Sequence, residues 1–488
     1  MRTHNKGTLL LALLAVGLAG SVSLASPAEV LGPVLAPLTA KGAYASADVV
    51  RLGDQQELYA LNPTQLLMPA SVVKLFTSAA ALALYGPERR LVTEVLAPPK
   101  SRRNGTLAGP VFLKGGGDPF LDLTGLDALA VMLRLQGITK IEGAIVADAS
   151  AFNGPAVGGD WDPADLEQPY AAPASALNLC GNVVSIVVTP TRPGRPPLVS
   201  LEPDAGHLSV TNQAVTSSRS HSPRLTRVGD ADRFLLTGNV RRGAGFLVPL
   251  RDPAFFTAAV FKHRLQRKGI EVLGSVTLGS TPAEAEALAS LNSPPLADIV
   301  SRTNKESLNY AAEVLLRLCG APFDGKNTAD AGLRVVHRFA ALAGATPIAL
   351  TDGCGLSRSS RVSARALTLL LDYAYRQPWA AAFYGSLPVA GQDGTLATRM
   401  REPPACGRVL AKTGTLTGVS ALAGYVRGDD GPVLAFALLI NNGPSAAQSK
   451  NVADAFAAAL CPFAVAPTSP LPPSAARPQR YAALYAQQ

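Results

Sequence analysis

The pattern of apolar and polar positions first marks a long, almost uninterrupted apolar segment. It spans residues 71–85 and stops at Gly86-Pro87, a pair that terminates helices. Apolar side chains lie on nearly every side of this segment, so it predicts a buried central helix. Shortly before it, the short apolar runs 47–51 and 58–61 lie on either side of Gly53-Asp54. They predict a β-hairpin.

The middle of the chain has a different texture. Short β-rich runs alternate there with Gly- and Pro-rich turns, at residues 138–147, 182–189, 233–240 and 271–278. One helix is clearly marked, with Asp252 as its cap, Pro253 in its first turn and Gly269 beyond its end. The pattern predicts a β-rich module at residues 89–291, inserted into a domain that comprises residues 26–88 and 292–463.

Helical patterns return after Ser293-Pro294-Pro295. Residues 306–318 predict a helix closed by Gly320. The runs 408–415, 421–426 and 433–440 predict neighbouring antiparallel strands, the last two joined by a tight turn at residues 428–431. Residues 445–460 predict a final helix, and the proline-containing stretch 464–488 is predicted to be a disordered tail.

The first 25 residues have the pattern of an export signal. Arg2 and Lys6 precede an apolar run at residues 9–18, and Ser23-Leu24-Ala25 offers a cleavage site before Ser26. The alternative is an uncleaved membrane anchor, but the run is shorter than the ~20 residues that a span needs. We therefore expect residues 1–25 to be a signal peptide, and the protein to be exported to the periplasm or cell envelope.

Composition narrows the function classes. The chain has 488 residues, 48% hydrophobic and 16% charged, which fits a folded protein with more than one domain. Its formal charge of +9 fits either a weak peripheral association with anionic envelope polymers or solubility alone. The basic residues are scattered and are not interleaved with aromatics, so we expect no nucleic-acid partner.

Cysteine and histidine patterns do not support metal or redox chemistry. The five cysteines form no C-x-x-C pair, and the five histidines are dispersed with no H-E-x-x-H. A G-x-S-x-G nucleophile elbow is also missing from the sequence. We therefore expect no metal and no cofactor.

The motif Ser71-Val72-Val73-Lys74 supplies a nucleophile and a base. Residues three apart at the start of a helix share one face, so Lys74 could reach the Ser71 hydroxyl. A serine hydroxyl needs such a base, and a lysine can serve only if its pKa falls toward ~7–8. Burial and a second ammonium nearby would both lower the pKa of Lys74.

Two further motifs complete a possible active site. In Ser307-Leu308-Asn309, a second hydroxyl could relay a proton and Asn309 could orient Lys74 or hold a substrate amide. In Lys412-Thr413-Gly414-Thr415, a cation and two hydroxyls suit a substrate carboxylate, and Gly414 allows a backbone to approach. The Thr415 and Ser71 N–H groups could form an oxyanion hole.

In this order, the three motifs resemble those of the penicillin-binding proteins and serine β-lactamases. The long insertion after the first motif narrows the resemblance to the class C, low-molecular-mass D-Ala-D-Ala carboxypeptidases of the S13 peptidase family. Other segments that resemble this family are Gly115-Gly116-Gly117-Asp118-Pro119, Tyr170-Ala171-Ala172-Pro173, Ser175-Ala176-Leu177-Asn178, residues 352–358 and residues 391–396.

The resemblance implies an α/β (α+β) fold: a β-lactamase/transpeptidase-like domain with an antiparallel sheet, helices on both faces and a large β-rich insertion. It implies a serine-type D-Ala-D-Ala carboxypeptidase and endopeptidase that acts on peptidoglycan stem peptides and is inhibited by β-lactam antibiotics. Ser71 would attack, with Lys74, Ser307, Asn309 and Lys412 as the other catalytic residues.

It also implies a pocket for the amine of the substrate side chain, lined by Asp165, Tyr170 and Arg358. The sequence departs from the family pattern at three positions. Leu308 is a middle side chain that need not face the site, and the departures at Cys354 and Thr417 bear on substrate preference rather than on the reaction. Two other functions stay open at this stage: a β-lactamase, and a cell-wall scaffold without activity.

Overall fold

The computed structural model describes residues 26–464, except 205, 207, 325 and 326. The predicted signal peptide at residues 1–25 and the predicted tail beyond residue 464 lie outside this part. Among the residues described, no helix combines the length and the apolar character that crossing a bilayer requires.

Helices occur in both halves of the structure. They are α1 (Pro27–Thr39), α2 (Lys74–Tyr85), α3 (Leu123–Leu135), α4 (Pro253–Arg267), α5 (Leu296–Lys305), α6 (Asn309–Asp324), α7 (Ala329–Leu342), α8 (Ala364–Tyr375), α9 (Ala380–Gly385) and α10 (Ala446–Leu460).

The strands are short in the middle of the chain and longer near its two ends. They are β1 (Tyr44–Arg51), β2 (Glu57–Leu61), β3 (Val92–Ala97), β4 (Arg102–Arg103), β5 (Thr106–Leu107), β6 (Val111–Gly115), β7 (Lys140–Ile141), β8 (Ile145–Asp148), β9 (Val183–Thr189), β10 (Leu198–Glu202), β11 (Ser209–Asn212), β12 (Val215–Thr216), β13 (Arg224–Arg227), β14 (Arg233–Thr237), β15 (Asn239–Val240), β16 (Ala244–Pro249), β17 (Glu271–Val272), β18 (Val276–Leu278), β19 (Glu286–Asn292), β20 (Ile348–Ala349), β21 (Arg361–Val362), β22 (Val409–Leu416), β23 (Val419–Arg427) and β24 (Pro432–Asn441).

A five-stranded antiparallel sheet joins the two ends of the chain. Its strand order is β2-β1-β24-β23-β22, so the hairpin from the start of the chain pairs with three strands from its end. The predicted hairpin and the predicted neighbouring strands are both confirmed. The sheet leaves β22, which carries Lys412-Thr413-Gly414, at one edge.

Helices cover both faces of this sheet, as the predicted fold class requires. Every residue of β24 is buried, and its side chains alternate between two cores. Ala437 and Leu439 contact a cluster built from α2 and α5 to α9. Phe436 and Leu438 contact a second cluster, to which α1 and α10 contribute. Because water reaches neither face, the central strands read as continuous apolar runs rather than alternating ones.

The middle of the chain builds a separate core. A five-stranded sheet of order β18-β8-β6-β3-β19 packs with α3 and α4 around a buried cluster drawn from residues 95–289. Smaller sheets of order β10-β9-β16 and β11-β14-β13 complete this region. The region is β-rich, as predicted, although α3 was not foreseen. The exact domain boundaries stay a prediction.

Three of the predicted β runs are interrupted by closely packed glycines. The run 138–147 splits into β7 and β8, the run 233–240 splits at Gly238 into β14 and β15, and the run 271–278 splits into β17 and β18. A Cβ at Gly143 would lie 2.2 Å from the backbone of Gly109, and one at Gly274 would lie 2.1 Å from the Gly143 carbonyl oxygen. Crowding of three backbone segments therefore ends these strands.

The helix predicted at residues 306–318 was wrong at both ends. Residues before it belong to α5, and α6 begins only at Asn309 and continues past Gly320 to Asp324. Gly320 does not close the helix: a Cβ there would lie 2.8 Å from the Gly332 nitrogen, so this glycine allows α6 and α7 to approach closely. The helix predicted at residues 71–85 is also modified, because its first turn, Ala70–Val73, is a 3-10 turn.

Candidate active site

Ser71 lies in a strained turn at the start of the central helix. The preceding residue, Ala70, has φ of 50°, in the left-handed region that costs a non-glycine residue about 1–3 kcal/mol. The 3-10 turn Ala70–Val73 then runs directly into α2. Ser71 stays partly exposed while Val72 and Val73 are fully buried. The turn therefore presents the Ser71 hydroxyl to solvent from an otherwise buried element.

Lys74 is fully buried beneath Ser71 and is held by three oxygen atoms. Its Nζ lies 2.9 Å from Ser71 Oγ, 2.7 Å from Asn309 Oδ1 and 2.7 Å from the Cys354 carbonyl oxygen. As an ammonium, Lys74 can donate to all three oxygen atoms; once neutral, it can keep the bonds to Asn309 and Cys354 and accept the proton of the Ser71 hydroxyl. The side chain predicted as the base thus makes the contact that a base needs.

Ser307 is placed by the way in which α5 ends. It has φ of 60°, and the Leu308 N–H donates to the Thr303 carbonyl oxygen at 3.0 Å, the pattern of a Schellman helix end. Glycine usually occupies this left-handed position, so a serine there accepts strain. The turn reverses the chain between α5 and α6 and directs Ser307 Oγ to Lys412 Nζ, 2.8 Å away.

The edge strand β22 closes the other side of the site. Lys412 is fully buried and bonds the Ser307 hydroxyl and the Thr413 carbonyl oxygen, at 2.8 and 2.9 Å. A Cβ at Gly414 would lie 2.7 Å from the Pro69 carbonyl oxygen, so this glycine lets β22 touch the turn that carries Ser71. Thr415, one residue on, is exposed.

Burial shapes the ionisation of both lysines. It lowers the pKa of Lys74, an effect opposed by Cys354, Asp352 and Glu313. Burial also brings the pKa of Lys412 well below its ordinary value, and the neighbouring charge of Lys74 lowers it further. Two ammonium groups in one buried pocket repel each other, so the state in which both lysines are protonated is disfavoured.

The three residues predicted to bind a substrate side chain each lie one or two positions along the chain from a member of one small apolar cluster. Tyr170 is half exposed, donates its hydroxyl to Asp165 at 2.6 Å, and accepts a bond from Asn309 Nδ2 at its carbonyl oxygen, at 2.9 Å. The bond to Asp165 raises the pKa of Tyr170 to about 12. Arg358 is exposed and donates to the Thr417 carbonyl oxygen at 3.3 Å, beyond the end of β22. The cluster beneath includes Trp161, Cys354 and Leu356.

The structure also brings in three residues whose roles the sequence did not reveal. Thr395 accepts a hydrogen bond from the Thr413 hydroxyl at 2.8 Å. Asp352 and Glu313 are buried carboxyls behind Lys74. The sequence contained a signal for each of them. Thr395 and Asp352 fall in segments that resemble the family, and Glu313 is the single acid in the apolar helix segment 310–318. A buried acid in such a helix needs a specific partner.

The five residues predicted as catalytic therefore meet in one cleft. Hydrogen bonds connect Ser71, Lys74 and Asn309, and another joins Ser307 to Lys412. These two groups are brought together where β22 touches the turn that carries Ser71. Ser307 and Asn309 also line a cavity of about 520 Å³ between α5, α6 and the inserted region, together with Tyr170 and Phe120.

Comparison with known proteins gives this geometry a context. Residues 34–461 match the model of the D-Ala-D-Ala carboxypeptidase 3 (S13) family. The chain is 36% identical over 480 residues to a D-alanyl-D-alanine carboxypeptidase of Actinomadura sp. (strain R39), covering 94% of this chain and 88% of that protein. It is 29% identical over 394 residues to D-alanyl-D-alanine carboxypeptidase DacB of Haemophilus influenzae, covering 78% and 81%.

A solved structure has the same fold. The crystal structure of penicillin binding protein 4 (dacB) from Haemophilus influenzae superposes with a TM-score of 0.76 at 25% identity, covering 88% of this chain and 99% of that one. A second structure of that protein, complexed with a β-lactam, gives a TM-score of 0.71 at 26% identity, with coverage of 87% and 97%.

Proposed function

Because this chain belongs to the D-Ala-D-Ala carboxypeptidase 3 (S13) family, we propose that it is a DD-peptidase that hydrolyses peptidoglycan stem peptides through an acyl-enzyme on Ser71. One observation carries the proposal: Ser71 Oγ lies 2.9 Å from the Nζ of a fully buried lysine, Lys74, in a cleft that also holds Ser307 and Lys412. A hydroxyl next to a buried amine is the arrangement that activates a serine nucleophile.

Acylation begins when Ser71 Oγ attacks the carbonyl carbon of the penultimate D-alanine and its proton passes to Lys74. The oxyanion is stabilised by the N–H groups of Ser71 and Thr415. The C–N bond then breaks, and the proton held by Lys74 passes through the Ser307 hydroxyl to the leaving amine of the terminal D-alanine, which leaves Lys74 neutral again. Water then attacks the ester on Ser71; Lys74 takes a proton from that water and returns it to Ser71 Oγ as the ester bond breaks. Lys74 Nζ lies 2.9 Å from Ser71 Oγ, within the reach that general acid–base catalysis requires.

The terminal carboxylate of the substrate binds at Lys412, with Thr413 and Thr415 as hydroxyl donors and Gly414 keeping the strand close to the nucleophile turn. An anion at Lys412 stabilises the ammonium form of that side chain. A charged Lys412 in turn disfavours a second charge on Lys74, so binding of the carboxylate leaves Lys74 as the neutral base. Binding of the substrate thereby favours the form of Lys74 that can accept the Ser71 proton.

The substrate side chain lies over the cluster that Asp165, Tyr170 and Arg358 surround. A carboxylate at Asp165 pairs with an amine on the substrate, while the exposed Tyr170 ring offers an apolar face. Asn309 joins the two halves of the site, because its amide contacts both Lys74 and the Tyr170 carbonyl oxygen. This arrangement supports stem peptides whose third residue carries an amine.

We also propose that the enzyme cuts peptide cross-links as an endopeptidase and that β-lactams inhibit it by acylating Ser71. The cavity beyond Ser307 leaves room for more than a single D-alanine. A related structure of 26% identity is a complex with a β-lactam, which supports binding of this class of inhibitor. Export to the periplasm or envelope is proposed from residues 1–25, and N-terminal sequencing of the secreted protein would test the cleavage after Ala25.

Two measurements test the proposed reaction. Mass spectrometry of penicillin-treated protein is expected to show one adduct on Ser71 and none on Ser71→Ala. A cell-wall scaffold would show no adduct, and a β-lactamase would turn the antibiotic over at the rate of a substrate. Digestion of defined muropeptides should release D-alanine and, for cross-linked dimers, separate monomers. Release of D-alanine by Ser71→Ala would refute the mechanism.

A further inference from the structure

The loop of residues 352–358 passes directly behind Ser71 and Lys74. It contacts the Lys74 amine at one point and the backbone at Ser71 at another. Its Cys354 carbonyl oxygen accepts a hydrogen bond from Lys74 Nζ at 2.7 Å. A Cβ added at Gly355 would lie 1.9 Å from the Ala70 carbonyl oxygen and 3.0 Å from the Ser71 nitrogen. The Thr77 hydroxyl on α2 also donates to the Gly353 carbonyl oxygen, at 2.8 Å. The path of this loop therefore fixes where Lys74 and Ser71 lie.

Asp352 holds the loop in this path. One carboxylate oxygen accepts the Gly355 N–H at 2.7 Å, and the other accepts the Ser357 N–H at 2.7 Å and Trp161 Nε1 at 3.1 Å. The residue is 2% exposed. These three N–H donors fix the carboxylate in one orientation. Asp352 thus folds the loop around itself, and its carboxyl group lies behind Lys74.

A second buried carboxyl supports the same loop from α6. Glu313 Oε1 accepts the Gly353 N–H at 2.7 Å, and Glu313 Oε2 pairs with the Arg317 guanidinium at 3.3 Å. Burial raises the pKa of Glu313. Glu313, Asp352 and Cys354 lie within 4.8 Å of one another, a spacing that metal ligands can have. The oxygens of the two acids are already taken by N–H donors and Arg317, so the cluster does not fit a metal ion.

These contacts point to a positioning role that neither the family match nor the motifs assign. We propose that Asp352, with Glu313 behind it, is a positioning residue: it holds the Cys354 carbonyl oxygen against Lys74 and so keeps the Lys74 amine where it can accept the Ser71 proton. This inference rests on the proposed function of Lys74. The titratable groups around Lys74 are Lys412 on β22, Asp352 and Cys354 on the loop, and Glu313 on α6. The two acids favour a proton on Lys74, whereas Lys412 disfavours it.

The sign of the effect follows from these charges. A negative charge near an amine stabilises the ammonium, so its removal lowers the pKa of the amine. Lys74 acts when it is neutral, and the acid limb of the rate profile therefore moves to lower pH. Loss of an acceptor for the loop N–H groups also loosens the Cys354 carbonyl, and a displaced base lowers the maximal rate. A residue that served only stability would change the melting temperature and leave the acid limb in place.

The test is the second-order rate at which a fluorescent penicillin acylates Ser71, measured from pH 5 to 9 on folded protein. We expect Asp352→Asn to move the acid limb about 1 unit toward lower pH and to reduce the plateau by roughly tenfold or more. Glu313→Gln should move the limb in the same direction by less, because Arg317 already offsets its charge. Melting curves show whether each variant is folded. If Asp352→Asn does not fold, the acid limb of Glu313→Gln provides the test.

Asp148→Asn is the matched control. Asp148 is 1% exposed and also accepts two backbone N–H bonds, from Ser150 at 2.9 Å and Thr281 at 2.8 Å, but it lies in the inserted region. It should lose stability without moving the acid limb. The inference is overturned if the acid limb of the rate profile stays in place in the folded Asp352→Asn and Glu313→Gln variants. It is also overturned if Asp148→Asn moves the acid limb by the same amount. Wild-type protein without any adduct would instead overturn the proposed function, and this inference with it.

Discussion

Replacing Gly355 with alanine is expected to disable the site by displacing the turn that carries the nucleophile. The new Cβ would lie 1.9 Å from the Ala70 carbonyl oxygen, whereas ordinary contacts begin at 3.4 Å, so the two backbones must separate by about 1.5 Å. Misplacement of a reacting group by about 1 Å costs on the order of 10²-fold in rate. We expect the rate of acylation by penicillin to fall by at least that factor.

The backbone of Gly355 adds a smaller effect on stability. Its φ of 81° is in the left-handed region, where alanine costs about 1–3 kcal/mol. Gly229→Ala is the control, because Gly229 has φ of 68° with nothing within 4 Å of an added Cβ. The Gly229→Ala variant has the conformational cost without the clash, so its Ser71 should be acylated at the wild-type rate. The assay is stopped-flow acylation with a melting curve for each variant. A folded Gly355→Ala protein that acylates within threefold of wild type would refute the reasoning.

Three further predictions follow from the described contacts. Because burial lowers the pKa of Lys74 and the base must be neutral, the acylation rate should fall steeply in acid; a flat rate from pH 5 to 9 would contradict this. Ser307→Ala should lose about 10²- to 10⁴-fold in acylation; it also removes one of the two hydrogen bonds of the buried Lys412, so the rate is measured below the melting temperature of the variant, and a loss under tenfold would exclude a relay. Burial raises the pKa of Asp118 to about 6 from 3.8, so the folded state holds this proton more tightly than the unfolded chain and loses stability as pH rises through that window. Asp118→Asn should therefore stabilise the protein by up to about 3 kcal/mol at pH 8 and by almost nothing at pH 4 in urea unfolding; equal effects at both values would contradict it.

The two lysines illustrate how one buried site separates chemical roles. Lys74 has carboxyl groups behind it, and Lys412 has only neutral oxygen atoms as its hydrogen-bond partners. Without substrate, this difference favours the proton on Lys74. In the proposed mechanism, a substrate carboxylate at Lys412 reverses this preference. The proposed mechanism thus links recognition of a terminal carboxylate to activation of the serine, which explains why a base can be buried next to a second cation.

Local sequence patterns determined much of the framework. The caps Asp252 and Ser445 both accept N–H bonds at helix starts, and the hairpin and the three C-terminal strands pair as their apolar runs predict. The motif residues Ser71, Lys74 and Lys412 could be chosen because their chemistry is carried by side-chain type and order. These features depend on neighbours within a few positions, which a single sequence displays directly.

Only the tertiary structure decided how those residues act. The left-handed turns at Ala70 and Ser307 depend on long-range packing, because their own side chains do not favour that conformation. The Cys354 carbonyl that binds Lys74, and the buried Asp352 and Glu313 behind it, come from segments far from the motif in the chain. A sequence shows which groups are present, whereas burial and the charges that surround a group are set when distant segments meet; those two quantities decide which amine is the base.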